Sequence, residues 1–230
     1  MNFAIISAGE GLRLAAEGIC TPKPLIAING ITLIDRLIDI FVRNDASSVS
    51  VIVNAENHRT IAHLQTKRLD VPFNLVIKTT PGSMYSLYEL KPFLHEAPFC
   101  LTTVDTVFRE KEFIACLNEF RHNRHVDGLM GATDFIDDEK PLFLDVDDDL
   151  RIRDFCDERP PAGKYVSGGI YCLHPAAWRV LDITMQSGMN RMRDFQRQLI
   201  RHGLRLKAFP FSKIVDIDHA ADIEVAEGLI

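Results

Sequence analysis

Gly9, Gly11, Arg13 and Lys23 are the first residues able to do chemistry, and they stand close together near the start of the chain. Glycines let a backbone approach a ligand closely, and its bare N–H groups can hold phosphate oxygens. Arg13 adds a fork of donors and Lys23, within Thr21-Pro22-Lys23-Pro24-Leu25, adds a point charge. Together these residues make a triphosphate grip; the bland alternative is a strand-to-helix turn with a surface arginine. The pattern is not a dinucleotide fingerprint, because Leu14 occupies the third glycine position, and no Gly-Lys-Ser/Thr follows to make a P-loop. Carboxylates come later. Asp105 ends the apolar run Phe99–Val104, a position suited to a Mg²⁺ ligand, since that ion takes one or two hard protein oxygens. Asp216 and Asp218 lie two apart, so an extended segment turns both to one side, where they repel unless a cation sits between them. Capping of the next turn by Asp105 and of the last helix by Asp218 are the alternatives. The cluster of Asp145, Asp147, Asp148 and Asp149 lacks the glycine and terminal glutamate of a calcium loop and reads as a solvated hairpin turn.

The elements that must position these residues alternate. Phe3-Ala4-Ile5-Ile6 reads as a strand buried on both faces, and Leu33, Ile34, Leu37, Ile38 and Phe41 give an amphipathic helix over roughly 32–43. A strand at 49–53, a polar helix around 56–68 and a strand near 73–78 follow. Pro81-Gly82 then opens a helix through Leu94, the strand before Asp105 comes next, and a helix covers about 109–121. Such alternation predicts parallel β-α-β units with helices on both faces, a Rossmann-like three-layer α/β/α sandwich around a mostly parallel mixed sheet. Ligands of such sheets sit at C-terminal strand ends, where Gly9–Arg13 and Asp105 both fall. Residues 126–173 read as short strands closing at Tyr165–Tyr171. Helices around 175–183 and 190–202, a strand near 204–211 and a final helix to about 227 complete the chain. One domain over 1–230 is expected, with a nucleotide half to about residue 125 and an acceptor half beyond it.

Composition narrows the class. The 230 residues are 47% hydrophobic and 25% charged, ordinary for a soluble enzyme and enough for a sizeable core. A net charge of −6 argues against nucleic acid as partner, so a phosphorylated ligand must be held by local cations. Five scattered cysteines without a Cys-x-x-Cys pair point to free thiols in a reducing, cytoplasmic setting. The apolar start is too short for a signal peptide, and no run approaches a membrane span. Oligomeric state has no signal.

The strand, the Gly-x-Gly-x-Arg-Leu turn, the gap and Pro-Lys-Pro-Leu together resemble the signature of the sugar-phosphate nucleotidyltransferases, which join a nucleoside triphosphate to a phosphorylated acceptor. The resemblance implies that Ala8, Gly9, Gly11, Leu12, Gly82 and Ser83 bind nucleotide, and that Arg13 and Lys23 are the catalytic cations. It also implies that Asp105, Asp216 and Asp218 hold Mg²⁺. Glu158-Arg159-Pro160 is similar to the family's Glu-Lys-Pro, and Ser167-Gly168-Gly169-Ile170-Tyr171 to its Asn-Ala-Gly-Ile-Tyr. Glu158, Arg159, Ser167 and Gly169 are thereby implied in acceptor binding. Val104 replaces the glycine before the metal aspartate, and His219 replaces a threonine and has no role assigned. Tyr85-Ser86-Leu87-Tyr88 is similar to the short phosphocholine cytidylyltransferases, so the expected acceptor is a sugar 1-phosphate, with phosphocholine as alternative. A catalytically inactive nucleotide-sensing domain is the reading from another class.

Overall fold

The computed structural model describes every residue except Glu10 and Ala162. β1 (Asn2–Ser7) leads through the glycine loop into a short helix α1 (Leu12–Ala16) and a small ribbon of β2 (Ala27–Ile28) and β3 (Ile31–Thr32). Regular alternation follows: α2 (Leu33–Arg43), β4 (Ser48–Val53), α3 (His58–Gln65), β5 (Phe73–Ile77), α4 (Ser83–Leu94) and β6 (Phe99–Thr103). The Thr32 hydroxyl accepts the Asp35 N–H and so caps α2, while Asp35 and Arg43 match the positive and negative ends of that helix. β7 (Thr106–Phe108), α5 (Glu110–His122) and β8 (Gly128–Thr133) come next. The second half runs β9 (Phe143–Val146), β10 (Ile152–Cys156), β11 (Val166–Leu173), α6 (Ala176–Gln186), α7 (Met192–Arg201), β12 (Leu206–Phe211), β13 (Ile214–Asp216) and α8 (Ala220–Glu227).

Alternation along β1 builds the layers. Phe3 and Ile5 point into a core with α2, α5 and α8, where Phe3 stacks on Phe41 at 4.6 Å between ring centroids. Ala4 and Ile6 point the other way, into a core with α4, α6 and α7. This is the expected three-layer sandwich. β5, β4, β1 and β6 lie side by side and parallel. β11 joins β6 antiparallel, β8 pairs antiparallel with β11, and β12 returns parallel to β8. The hairpin of β9 and β10 attaches at the start of β11, and Asp147 closes its turn by accepting the N–H groups of Asp149 and Arg151 at 3.0 and 2.9 Å. All five cysteines are free, and no helix among the described residues is long and apolar enough to cross a membrane.

The chain leaves β1 for β4 on one side and comes back as β6 on the other, which opens a crevice at the C-terminal ends of β1 and β6. A second, two-stranded sheet crosses this region. β13 pairs antiparallel with β7 so that Asp216 lies opposite Thr106, and the Ile217 N–H donates to the Asp105 carbonyl at 3.1 Å. Three-residue strands carry no readable periodicity, yet this pairing is what brings Asp216 beside Asp105.

Candidate functional site

Lys23 sits in a single 3-10 turn set by Pro22 and Pro24, with Gly11, in the left-handed region at φ 64°, packed against it. Its ammonium donates to Asp105 Oδ2 at 2.9 Å and to Asp218 Oδ1 at 2.7 Å. Arg13 Nη1 donates to the other oxygen, Asp218 Oδ2, at 2.8 Å. Residues separated by as many as 205 positions thus meet in one charged cluster. Only 12% of the Lys23 side chain is exposed, so burial works against its charge, but Asp105 and Asp218 outweigh that and hold the ammonium's pKa above its usual value. In return, although burial opposes it, the Lys23 charge keeps Asp105 below the usual carboxylate range. Asp216 has no such partner. Its side chain opens onto the cleft and, among the described residues, accepts only the Thr106 hydroxyl, at 3.2 Å; desolvation within the cleft first, then the Asp105 and Asp218 carboxylates, push it up to about 7.

Asp216 and Asp218, expected to share a cation, both line the cavity at Asp105 but have different hydrogen-bond partners in this structure. The Asp218 N–H donates to the Asp216 carbonyl at 3.1 Å, and the two side chains take different partners across that turn. Both Asp218 oxygens are committed to Lys23 and Arg13. Nor does Asp218 cap α8 with its side chain, since Asp222 reaches back to the Asp218 and His219 N–H groups at 2.8 and 2.6 Å. No three acidic, histidine or cysteine side chains form a metal-holding group among the described residues. Asp105 and Asp216 remain as two neighbouring carboxylates whose repulsion a hard divalent cation would relieve, and Mg²⁺ needs no more protein oxygens than that.

Two cavities meet at Asp105. One, of about 380 Å³, is lined by Ala8, Gly9, Gly11, Lys23, Gly82 and Ser83, so five of the six expected nucleotide residues share it. Asn54 and Thr79 extend its wall; Asn54 Oδ1 accepts the Thr79 hydroxyl at 2.8 Å and the Glu56 N–H at 3.0 Å, and its side-chain amide has no partner for its own N–H groups among the described residues. The sixth expected residue, Leu12, lines a separate recess of about 330 Å³ with Gly11, Arg13, Lys23 and Asp218. The other cavity at Asp105, of about 340 Å³, holds Ser167, Gly169, Tyr171, Arg191, Arg193 and Gln196 along with Asp216. Ser83, Thr103 and Asp105 face both.

Glu158 and Arg159 do not join them. Both are exposed, and Arg159 Nε donates to the Gly163 carbonyl at 2.8 Å, closing its own loop. The cations that do line this second cavity are Arg191 and Arg193, with Arg193 held by Asp157 at 2.8 Å. Sequence reading missed them, though a signal was there: two arginines at the start of a helix, where the dipole disfavours cations. Asn54 was missed too, and its signal was a polar residue ending the apolar strand Val49–Val53.

Ser167 donates to Gln196 Oε1 at 3.0 Å, which fixes both on the cavity wall. Gly169 has φ 72°, and a Cβ there would lie 2.4 Å from Thr106 Oγ1 and 2.8 Å from Thr103 Oγ1, two hydroxyls that bond each other at 2.6 Å. Gly169→Ala combines left-handed backbone strain with overpacking beneath Asp216, so it should destabilise the fold by at least ~2 kcal/mol. Chemical denaturation of the purified variant checks this, and an unchanged midpoint would contradict it.

Comparison with known proteins gives a consistent picture. The family model for the MobA-like NTP transferase domain matches residues 3–179. A 2-aminoethylphosphonate cytidylyltransferase from Lancefieldella rimae is 40% identical over 52 residues, 23% of this chain and 21% of that protein, so the match spans about a fifth of the relative's length. Two solved structures share the fold. The inositol-1-phosphate CTP transferase from T. maritima superposes with a TM-score of 0.81 at 19% identity, over 99% of this chain and 95% of the other. A putative glucose-1-phosphate thymidylyltransferase from Bacillus anthracis, in complex with a sucrose, reaches a TM-score of 0.84 at 16% identity, over 100% and 94%.

Proposed function

This chain belongs to the MobA-like NTP transferase family, and from that premise we propose that it joins a nucleoside triphosphate to a phosphorylated small molecule, releasing pyrophosphate. The observation that carries the reading is the pair of cavities meeting at Asp105, one with Lys23 and the glycine loop and the other with Arg191 and Arg193. A phosphate monoester is mostly dianionic near neutral pH, its second pKa being about 6, so the acceptor is already a nucleophile and no general base is needed. Its oxygen attacks the α-phosphorus, the new P–O bond forms, the α–β bridging bond breaks, and pyrophosphate leaves with that electron pair.

The chain's own groups bring two anions together and hold them. Arg13 and the amides of Gly9, Gly11 and Leu12 take the β- and γ-phosphates. Lys23 exchanges a carboxylate oxygen for one on the α-phosphate, and Arg191 and Arg193 hold the acceptor's anion, so positioning and electrostatics carry the reaction. Asp105 and Asp216 would hold Mg²⁺, which when bound neutralises charge on the phosphate oxygens.

The acceptor cavity presents hydroxyls and an amide from Ser83, Ser167, Tyr171 and Gln196 beside its two arginines. That lining suits a phosphorylated polyol, and a sugar 1-phosphate is our first reading. A quaternary ammonium is bound best by several aromatic faces, and among the described lining residues Tyr171 is the single aromatic. A second reading, a primary-amine alcohol phosphate or phosphonate, is favoured by Asp138, whose carboxylate lines the same cavity and could meet an ammonium. Pyrophosphate release with Mg²⁺, over the common nucleoside triphosphates and a panel of hexose 1-phosphates, phosphocholine and 2-aminoethylphosphonate, separates these readings. Nucleotide binding without release for any acceptor would point instead to an inactive sensing domain.

A further inference from the structure

His219 stands where a side chain of no obvious chemical use links three parts of the site. Glu17 at the end of α1 accepts from its ring with Oε1, 2.5 Å from Nδ1, and takes the Ala220 N–H with Oε2 at 2.7 Å, a span of more than two hundred residues in sequence. The other ring nitrogen faces Glu139 Oε1 at 3.8 Å, and Glu139 Oε2 lies 3.7 Å from Arg13 Nη2. Arg13 itself returns to Asp218, next to His219. Glu17, His219, Glu139, Arg13 and Asp218 therefore follow one another as a chain of charged contacts that ends on the recess beside Arg13. Among the described residues, every hydrogen bond between 13–17 and 218–220 passes through the side chain of Arg13 or Glu17.

Capping alone does not account for this. Asp222 already holds the His219 N–H at the start of α8, and that bond needs nothing from the imidazole. The His219 and Glu17 side chains are 38% and 37% exposed, so the pair adds little to global stability. What it does fix is the distance between the loop carrying Arg13 and the segment carrying Asp218. We propose that His219, with Glu17 as its partner, is a positioning residue that latches the glycine loop onto the acidic segment, so that Arg13 meets the triphosphate tail already in place. The proposal rests on the nucleotidyltransferase reading only for the identity of the ligand.

Two measurements test it. In steady-state assays, His219→Ala should raise the KM for the nucleoside triphosphate about tenfold, the weight of one charge-assisted hydrogen bond, with kcat within about twofold. His219→Gln, whose amide can still donate to Glu17, should recover most of that loss. Glu17→Ala should raise that KM at least as far, because it also removes the acceptor of the Ala220 N–H, and the double variant should cost less than the product of the two single losses, because the shared bond can be lost only once. In hydrogen exchange on the unliganded protein, His219→Ala should speed exchange at the amides of 12–18 while leaving the central strands as they were. Unchanged KM with unchanged exchange overturns the proposal, as does a multiplicative double variant or a fall in kcat at constant KM. If the wild-type protein binds no nucleotide, the functional reading fails, and the exchange measurement still decides the latch.

Discussion

A Lys23→Met protein is expected to lose at least ~10²-fold in turnover, the usual cost of removing one preorganised electrostatic group. Methionine keeps the length of the side chain and removes only the cation, so the loss reports charge, not packing. It also leaves Asp105 and Asp218 facing each other without the ammonium that now bridges them at 2.9 and 2.7 Å. The lysine's pull on Asp105 disappears, and the Asp105 pKa should rise. Lys23→Arg restores charge but replaces a point donor with a broad planar fork, and should recover only part of the rate. Pyrophosphate release under saturating substrates is the measurement; more than a tenth of wild-type turnover in Lys23→Met would refute the role.

Asp105→Asn should cost at least ~10²-fold as well, through a different group of the same electrostatic assembly. Its second signature is a change in pH dependence. Desolvation in the cleft, Asp105 and, to a smaller extent, Asp218 raise Asp216 to about 7, well above the ~3.9 of a free aspartate. The folded protein therefore binds a proton more tightly than the unfolded chain. Asp216 contributes stability at acid pH, and that contribution is lost as pH rises from about 4 to about 7. Metal binding has the opposite slope, because a ligating carboxylate must be ionised, so apparent Mg²⁺ affinity should improve as pH rises through 7. With Asp105 neutral, one of the three raising causes vanishes, and the titration should move to lower pH. Calorimetric Mg²⁺ titrations across pH 5.5 to 8 on both proteins, run on the order of the ~1 pH unit resolution such shifts require, check this. A midpoint identical in both would contradict the coupling.

Much of this is legible in the amino-acid sequence alone. The strands around Ile5, Val51 and Leu101 are apolar on both sides because helices cover both faces, and their alternation with amphipathic segments such as Leu33–Phe41 names the fold. The glycine loop and Asp105 follow long strands, so their place at the switch point was legible as well. What escaped depended on contacts without local pattern. The β7–β13 pair is three residues long and joins positions about 110 apart, so no window of sequence contains it. Arg159 was implied by likeness to a motif, and likeness says nothing about where an exposed loop travels; Arg191 and Arg193 reached the cavity instead. Asp216 and Asp218 are read from spacing as an extended pair, and the turn at Ile217 that gives them different hydrogen-bond partners has no local signal.

Ser83, Thr103 and Asp105 face both cavities, so the two chambers have a common wall and no side chain needs to carry the nucleotidyl group from one to the other. Transfer by one direct displacement inverts the configuration at the transferred phosphorus, whereas a relay through the protein would retain it. A substrate made chiral with sulfur at that phosphorus would thus carry, in the handedness of its product, a record of how these two chambers adjoin.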